Sequence, residues 1–353
     1  PIPGNNIRTT IDLQLQLFCE NLMNDKKGVI LVGDPLSGGV LAATSAPDYS
    51  PDFFTGLITE SNWKNISTNP DKPLINRYIQ GTYIPGSIVK MITQAALLKQ
   101  DDFDKNNKHH CPGFYQFGDR IFGCWFTNGH GDLNLVEAMS VSCDVYFYKT
   151  VTQLSLKNLY DTFNQFGFGS KTNIDIPNEA SGLVPDKSYM SKRYGKYGWS
   201  RGVLLNLAIG QGELLVTPIQ ILNYINLLST KGRSPNSHFV FVDNLPQNVK
   251  PELSLEIWNN IHDGLRSAIV SSNGTGKKSD PKFNDFLVYG KTGTAENPHG
   301  ENHAWFVGWA DYNKKKYSIV ILLENAGSGG GVAAPMAKKV FEKIIENSRF
   351  ASR

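Results

Sequence analysis

A serine placed three residues ahead of a lysine sets a hydroxyl and an amine on one helix face. The sequence has this spacing at Ser87-Ile88-Val89-Lys90 and at Ser61-Asn62-Trp63-Lys64. Serine attacks a carbonyl when a neighbouring base takes its proton, and lysine serves as that base when burial or a second cation keeps its amine neutral. Chance produces the spacing readily, so the surroundings must choose. Ser61 lies in a polar stretch with no strong apolar helix after it. Ser87 follows Pro85-Gly86 and opens a run with Ile88, Met91, Ile92, Ala95 and Leu98 on one face, the pattern of a half-buried helix from 87 to 99. Backbone N–H groups at such a start can meet a developing oxyanion. The plainer role for Ser87 is an N-cap.

Two further groups extend the chemistry. Lys291-Thr292-Gly293-Thr294 follows an apolar strand at 286–289, and its cation and hydroxyls suit a carboxylate. Gly293 would let a substrate backbone lie along the strand edge; the bland reading is a strand end with a turn. A proton relay needs a second hydroxyl, and Ser142-Cys143-Asp144 supplies one at the end of the apolar stretch 133–139. Ser67-Thr68-Asn69 precedes the nucleophile, Ser234-Pro235-Asn236 contains proline, and Ser271-Ser272-Asn273 sits in a polar loop.

Cys111, Cys124, His130 and Cys143 are separated by 12, 5 and 12 residues. Three thiolates and an imidazole make a tetrahedral zinc set, which here would brace the 111–130 loop against the 142–144 motif. In a helical or extended chain Cys143 points away from its two neighbours, so a metal could hold the motif without entering the site. His109, His110 and Asp119 are rival ligands. A disulfide between two of the cysteines is the other reading.

The elements that must position these groups change period along the chain. Residues 10–23 read as a helix with Thr10 or Asp12 as cap, and 28–45 as a hairpin. A polar surface excursion occupies 46–82. Helical stretches follow at 134–154, 157–166, 217–229 and 253–269. Three antiparallel strands, 286–289, 303–310 and 317–323, precede a closing helix over 332–345. Strands at both chain ends with helices between imply one sheet assembled from distant segments. The 353 residues include 40% hydrophobic and 19% charged side chains and carry a net charge of +3. That is an ordinary folded composition, with no basic stripe for nucleic acid. No run reaches the length of a membrane span, so an anchor is expected to lie outside this chain.

Ser-x-x-Lys, Ser-x-Asp and Lys-Thr-Gly, in that order, match the template of penicillin-interacting serine enzymes. With Asn76-Arg77-Tyr78-Ile79-Gln80-Gly81, Ile209-Gly210-Gln211-Gly212, Thr217-Pro218, Ala295-Glu296 and 303–308 added, the chain resembles the transpeptidase domain of a class B penicillin-binding protein over nearly its whole length. The resemblance implies an α+β fold of the penicillin-binding protein/serine β-lactamase-like transpeptidase kind. An antiparallel sheet with strands from both chain ends would be packed by helices, next to a mostly helical subdomain. One domain would span 1–353, sheet-bearing at about 8–85 and 282–353 and mostly helical at about 86–281, with an N-terminal pedestal and membrane anchor outside it.

By the same resemblance, Ser87 attacks the penultimate D-alanine carbonyl of a peptidoglycan stem peptide and Lys90 takes its proton. Ser142 relays that proton to the leaving amine, Lys291 tunes the local charge, and Thr292 and Thr294 hold the substrate carboxylate. The N–H groups of Ser87 and Thr294 form the oxyanion hole. Asp144, where division-type members carry Asn, resembles the elongation-type enzymes, some of which carry a metal site near here with carboxylates among the ligands. No cofactor is implied for catalysis. Implied partners are stem peptides, β-lactam antibiotics, a SEDS-type (RodA-like) glycan polymerase and an MreC-like rod-complex scaffold. The implied location is the bacterial inner membrane, catalytic domain facing the periplasm. A serine β-lactamase or penicillin-sensing receptor would share the motifs, and a non-catalytic scaffold would share the fold.

Overall fold

The computed structural model describes residues 3–241, 251–297 and 300–350. The chain opens with helix α1 (Leu13–Leu22), whose cap is Asp12, accepting from the Leu15 N–H at 3.1 Å. Strands β1 (Gly28–Gly33) and β2 (Val40–Ala46) form the expected hairpin. The excursion that follows carries a short helix α2 (Glu60–Ser67) with no buried residue, and Ser61 with its Lys64 lies on it. A 3-10 turn, Gly86–Val89, leads into helix α3 (Lys90–Leu98). The helix expected from 87 therefore begins as a tighter turn.

Between α3 and the next helix come four short strands: β3 (His109–Cys111), β4 (Phe114–Phe117), β5 (Arg120–Gly123) and β6 (Gly131–Leu133). They pair as β3 with β6 and β4 with β5. The single stretch expected over 134–154 is two helices, α4 (Leu135–Ser140) and α5 (Asp144–Val151). The break falls at Ser142, which is left-handed at φ 57°, a conformation that stops an α-helix. Helices α6 (Leu156–Gln165), α7 (Lys187–Tyr194), α8 (Gly202–Ala208), α9 (Pro218–Thr230) and α10 (Leu255–Val270) follow. Helix α9 starts with proline at its first position and a Thr217/Gln220 capping box, both strong start signals.

Strands β7 (Leu287–Ala295), β8 (His303–Tyr312) and β9 (Lys315–Leu323) close the sheet. A π-helical turn over Gly329–Ala333 then leads into α11 (Ala334–Phe350). The sheet order is β2-β1-β9-β8-β7, antiparallel throughout, so the chain's two ends meet where β1 pairs with β9. Alternate residues serve opposite faces. Ile30, Val32, Phe306, Ile319 and Ile321 pack with α1 and α11 through Leu15, Val340 and Phe341. Val29, Leu31, Val307, Val320 and Leu322 join the larger core of the middle helices, including Ile88, Met91, Leu222 and Ile225. This is the α+β architecture anticipated above. Among the described residues no helix is long and apolar enough to cross a membrane.

Candidate active site

The turn that presents Ser87 is fixed by glycines on both sides. Gly86 is left-handed (φ 60°), and a Cβ there would come within 2.7 Å of the Thr294 carbonyl oxygen on β7. Its N–H donates to the Gly210 carbonyl at 2.9 Å. Gly210 is left-handed too (φ 73°), and a Cβ on it would stand 2.2 Å from the Gly86 oxygen. Three backbones thus meet where only glycine fits. Ile88 and Val89 behind them are fully buried, leaving Ser87 half-buried at the floor of a cleft of about 890 Å³.

Lys90, one turn on, is 0% exposed. Its Nζ donates to the Ser142 carbonyl at 2.9 Å, to Ser142 Oγ at 3.3 Å and to Asp144 Oδ1 at 2.8 Å. Three acceptors match the three protons of an ammonium. The left-handed Ser142 turns its hydroxyl and carbonyl toward Lys90, and α5 begins at Asp144, whose Oδ2 accepts the Trp125 N–H at 3.0 Å. A burial cost of this size is tolerable because both carboxylate oxygens and all three amine protons have partners.

Lys291 is also 0% exposed. Burial first, then the neighbouring Lys90 charge, hold its amine well below the ordinary 10.5, with Asp144 pulling the other way. The tetrad 291–294 lies inside β7, the last strand of the sheet, and not at its end. Lys291 Nζ donates to the Thr292 carbonyl at 3.1 Å, Thr292 Oγ1 to Thr275 Oγ1 at 2.9 Å, and Gln211 Nε2 to the Thr294 carbonyl at 3.2 Å. Thr292 and Thr294 line the cleft. The missing Cβ of Gly293 faces Ile88 Cγ2 at 2.8 Å and the Pro85 carbonyl at 3.0 Å. Its glycine is therefore required by the packing of β7 on the nucleophile turn.

Cys111, Cys124, His130 and Cys143 come together behind this site, their ligand atoms all within 4.8 Å of one another. All four cysteines of the chain are unbridged. His130 Nδ1 lies 3.6 Å from Cys111 Sγ and 3.5 Å from Cys124 Sγ. Zinc with ordinary bond lengths in a tetrahedral site sets such atoms about 3.5 Å apart, so the residues fit that ion. A hydrogen bond from Cys143, and then one from His130, holds the Cys124 thiol well below its usual range. The shared proton and burial push Cys143 up. The rival ligands stand elsewhere: His110 pairs with Asp132 at 2.8 Å, His109 packs edge-on against Tyr146, and Asp119 is in the exposed turn after β4.

Sequence reasoning missed part of the cleft. Trp125, Tyr148, Gln211 and Thr275 line it. Thr275 belongs to the Asn-Gly-Thr-Gly loop that polarity alone had set aside, and Gln211 stands between the glycines of the 209–212 turn. A glycine-bracketed polar residue is the signal that was available.

A serine beside a buried lysine, a left-handed hydroxyl turn and an edge-strand lysine, on this α+β frame, define a serine acyl-transfer fold of the penicillin-recognising class. The chain belongs to the penicillin binding protein transpeptidase domain family, whose profile matches residues 28–342. Its relatives include the peptidoglycan D,D-transpeptidase MrdA of Haemophilus influenzae, 31% identical over 98% of this chain and 57% of that protein. The structure of penicillin-binding protein PBP2 from Helicobacter pylori superposes at a TM-score of 0.89, with 34% identity over 97% of this chain and 65% of that one. The same PBP2 in complex with MreC gives 0.88, again at 34% identity, with the same two shares covered. The chain closely matches this elongation-type group, and it spans just over half the length of the MrdA protein.

Proposed function

We propose that this chain is the catalytic part of a peptidoglycan D,D-transpeptidase of cell-wall elongation, working through an acyl-enzyme on Ser87, the serine that β-lactams would acylate. One observation carries the reading. Lys90 meets Ser142 and Asp144, 52 and 54 positions away, in a cleft that also holds Ser87 and the Thr292–Thr294 edge.

In this mechanism Ser87 Oγ attacks the penultimate D-alanine carbonyl while its proton passes to the Lys90 amine, acting as general base. The three acceptors around Nζ suit the ammonium so formed. The oxyanion is held by the N–H groups of Ser87 and Thr294, and the carboxylate by Thr292 and Thr294. As the C–N bond breaks, Ser142 Oγ passes a proton to the departing D-alanine and takes one from Lys90. An amine of a neighbouring stem then attacks the ester, its proton returns through the same relay, and Ser87 is freed as the amide cross-link forms. Lys291 tunes the charge around Lys90 and Ser142. Zinc at Cys111, Cys124, His130 and Cys143 would brace Ser142 and Asp144 and take no part in bond making.

The family supports an inner-membrane protein with this part in the periplasm. Since the H. pylori relative was solved with MreC, we assign an MreC-like scaffold and a RodA-like SEDS polymerase as partners. A stem peptide ending in D-Ala-D-Ala, incubated with the protein and an amine acceptor, is expected to release D-alanine and yield a new amide. Release of D-alanine with hydrolysis alone, or rapid turnover of penicillin, would contradict a transpeptidase.

A further inference from the structure

Between Lys187 and Arg201 the chain carries five cations, Lys187, Lys192, Arg193, Lys196 and Arg201, and no acid. The whole chain is only +3, so everything outside this segment is net negative, and the segment stays positive with its neighbouring acids counted, Asp186, which caps α7, and Glu213, which pairs with Arg193. All five cations are exposed. Four rings alternate with them: Tyr189, Tyr194, Tyr197 and Trp199. Tyr197 is 88% exposed and Tyr194 43%, far more than packing requires. Lys196 stands 5.4 Å over the Tyr197 ring and Arg193 5.5 Å over Tyr194, the arrangement of flat apolar faces edged by charge.

The patch has a fixed shape and joins the cleft. Trp199 donates to Ser191 Oγ at 3.2 Å. Tyr189 and Tyr194 donate to Glu213, which also pairs with Arg193 at 3.3 Å. Glu213 is two residues beyond Gln211, the cleft residue that holds Thr294. At the other end, Gly202 abuts Phe122 of the cleft wall, since a Cβ there would sit 3.8 Å from Phe122 Cζ. A cleft of about 890 Å³ takes a peptide-sized ligand; a polymeric substrate must continue outside it.

We propose that Lys187–Arg201 is a docking surface for the glycan strand that carries the stem peptides. Sugar faces lie on Tyr194 and Tyr197, and stem carboxylates lie near Lys192 and Lys196. This rests on the proposed reading of the cleft. A membrane surface fits less well, because an interfacial helix buries Leu, Phe or Trp, whereas the one aliphatic residue of α7, Met190, is already in the fold.

The test is a titration of the Ser87→Ala protein, with and without Lys192→Glu, Lys196→Glu and Tyr197→Ala together. The probes are soluble uncross-linked glycan strands bearing pentapeptides, the free pentapeptide, and phosphatidylglycerol vesicles. The combined variant should bind strands at least about tenfold more weakly, with a flatter salt dependence, and bind free pentapeptide within about twofold of its parent. With Ser87 restored, it should react with labelled penicillin at the parent's rate, which verifies fold and cleft. Unchanged strand affinity, or a loss seen only with vesicles, overturns the docking surface. Absence of acylation at Ser87 in the unsubstituted protein would instead overturn the reading of the cleft.

Discussion

Ser87, Lys90 and Lys291 stand on elements sunk in the core, whereas Ser142 and Asp144 flank a cysteine that faces a patch of short strands. On the first side Ile88, Val89, Met91 and Ile92 are fully buried, and β7 runs nine residues beside β8. On the second, β3 and β6 have three residues each and β4 and β5 four, with Phe114, Ile121 and Trp125 exposed. So small a substructure buries too little apolar surface to hold itself. It is tied to the rest of the fold by the Cys111, Cys124, His130 and Cys143 cluster, by two hydrogen bonds from Trp125, to Asp144 and to the Val141 carbonyl, and by Lys149 Nζ donating to the His110 carbonyl at 2.7 Å. Packing alone positions the first half of the cleft, whereas the second joins the packing of α4 and α5, where Met139, Val145 and Phe147 are buried, to ligand chemistry, and the two should fail differently.

The largest effect is expected where the halves meet. Lys90→Met should slow acylation by labelled penicillin by a factor on the order of 10³ or more. It should also lower stability in chemical denaturation by about 3–5 kcal/mol, because Asp144 stays buried without its cation. A stability close to that of the parent would mean that the ion pair does not join the two sides.

Next comes the packed side by itself. Gly210→Ala places a Cβ 2.2 Å from the Gly86 carbonyl oxygen at a left-handed residue, and should cost about 2–3 kcal/mol with a parallel loss of acylation. Loss of stability without loss of acylation would separate Gly210 from the Ser87 turn.

The ligand-held side should respond to metal. Purified protein is expected to hold close to one equivalent of zinc by metal analysis. Chelation or Cys124→Ser should remove it and slow acylation about tenfold by loosening Ser142 and Asp144, while far-ultraviolet circular dichroism of the main sheet persists. Acylation indifferent to chelation would show both sides to be held by packing.

The smallest effect is a slope. In the unfolded chain Lys291 titrates near 10.5, and in the fold well below it. Between those values the unfolded state binds the extra proton, so stability rises with pH across that window. It is lost as pH falls through the folded value. Lys291→Met should remove that slope from denaturation curves taken between neutral pH and pH 10; an unaltered slope would place the neutral amine elsewhere.

The same division explains what the sequence made legible. Hydrophobic period two and period 3.6 exposed the sheet strands and α3, because these elements are buried on defined faces. The strands at 109–133 have no such pattern, since few of their residues are buried, and only the residue types Cys, Cys, His and Cys marked the region. Ser142 was marked by motif, but its left-handed turn was hidden: propensity does not anticipate a serine at φ 57°. Thr275 and Tyr148 were invisible because loop 271–278 and α5 reach the cleft only through tertiary packing. The close approach of Gly293 to Ile88 was likewise hidden, since it arises where β7 packs on the Ser87 turn.

The central claim is that Ser87 is the nucleophile. The measurement is intact mass with peptide mapping after incubation with a labelled penicillin, on the unsubstituted protein and on Ser87→Ala. One label per chain on the peptide containing Ser87, absent from the variant, is the result expected. Label that persists in Ser87→Ala, or that maps to Ser61, would contradict it.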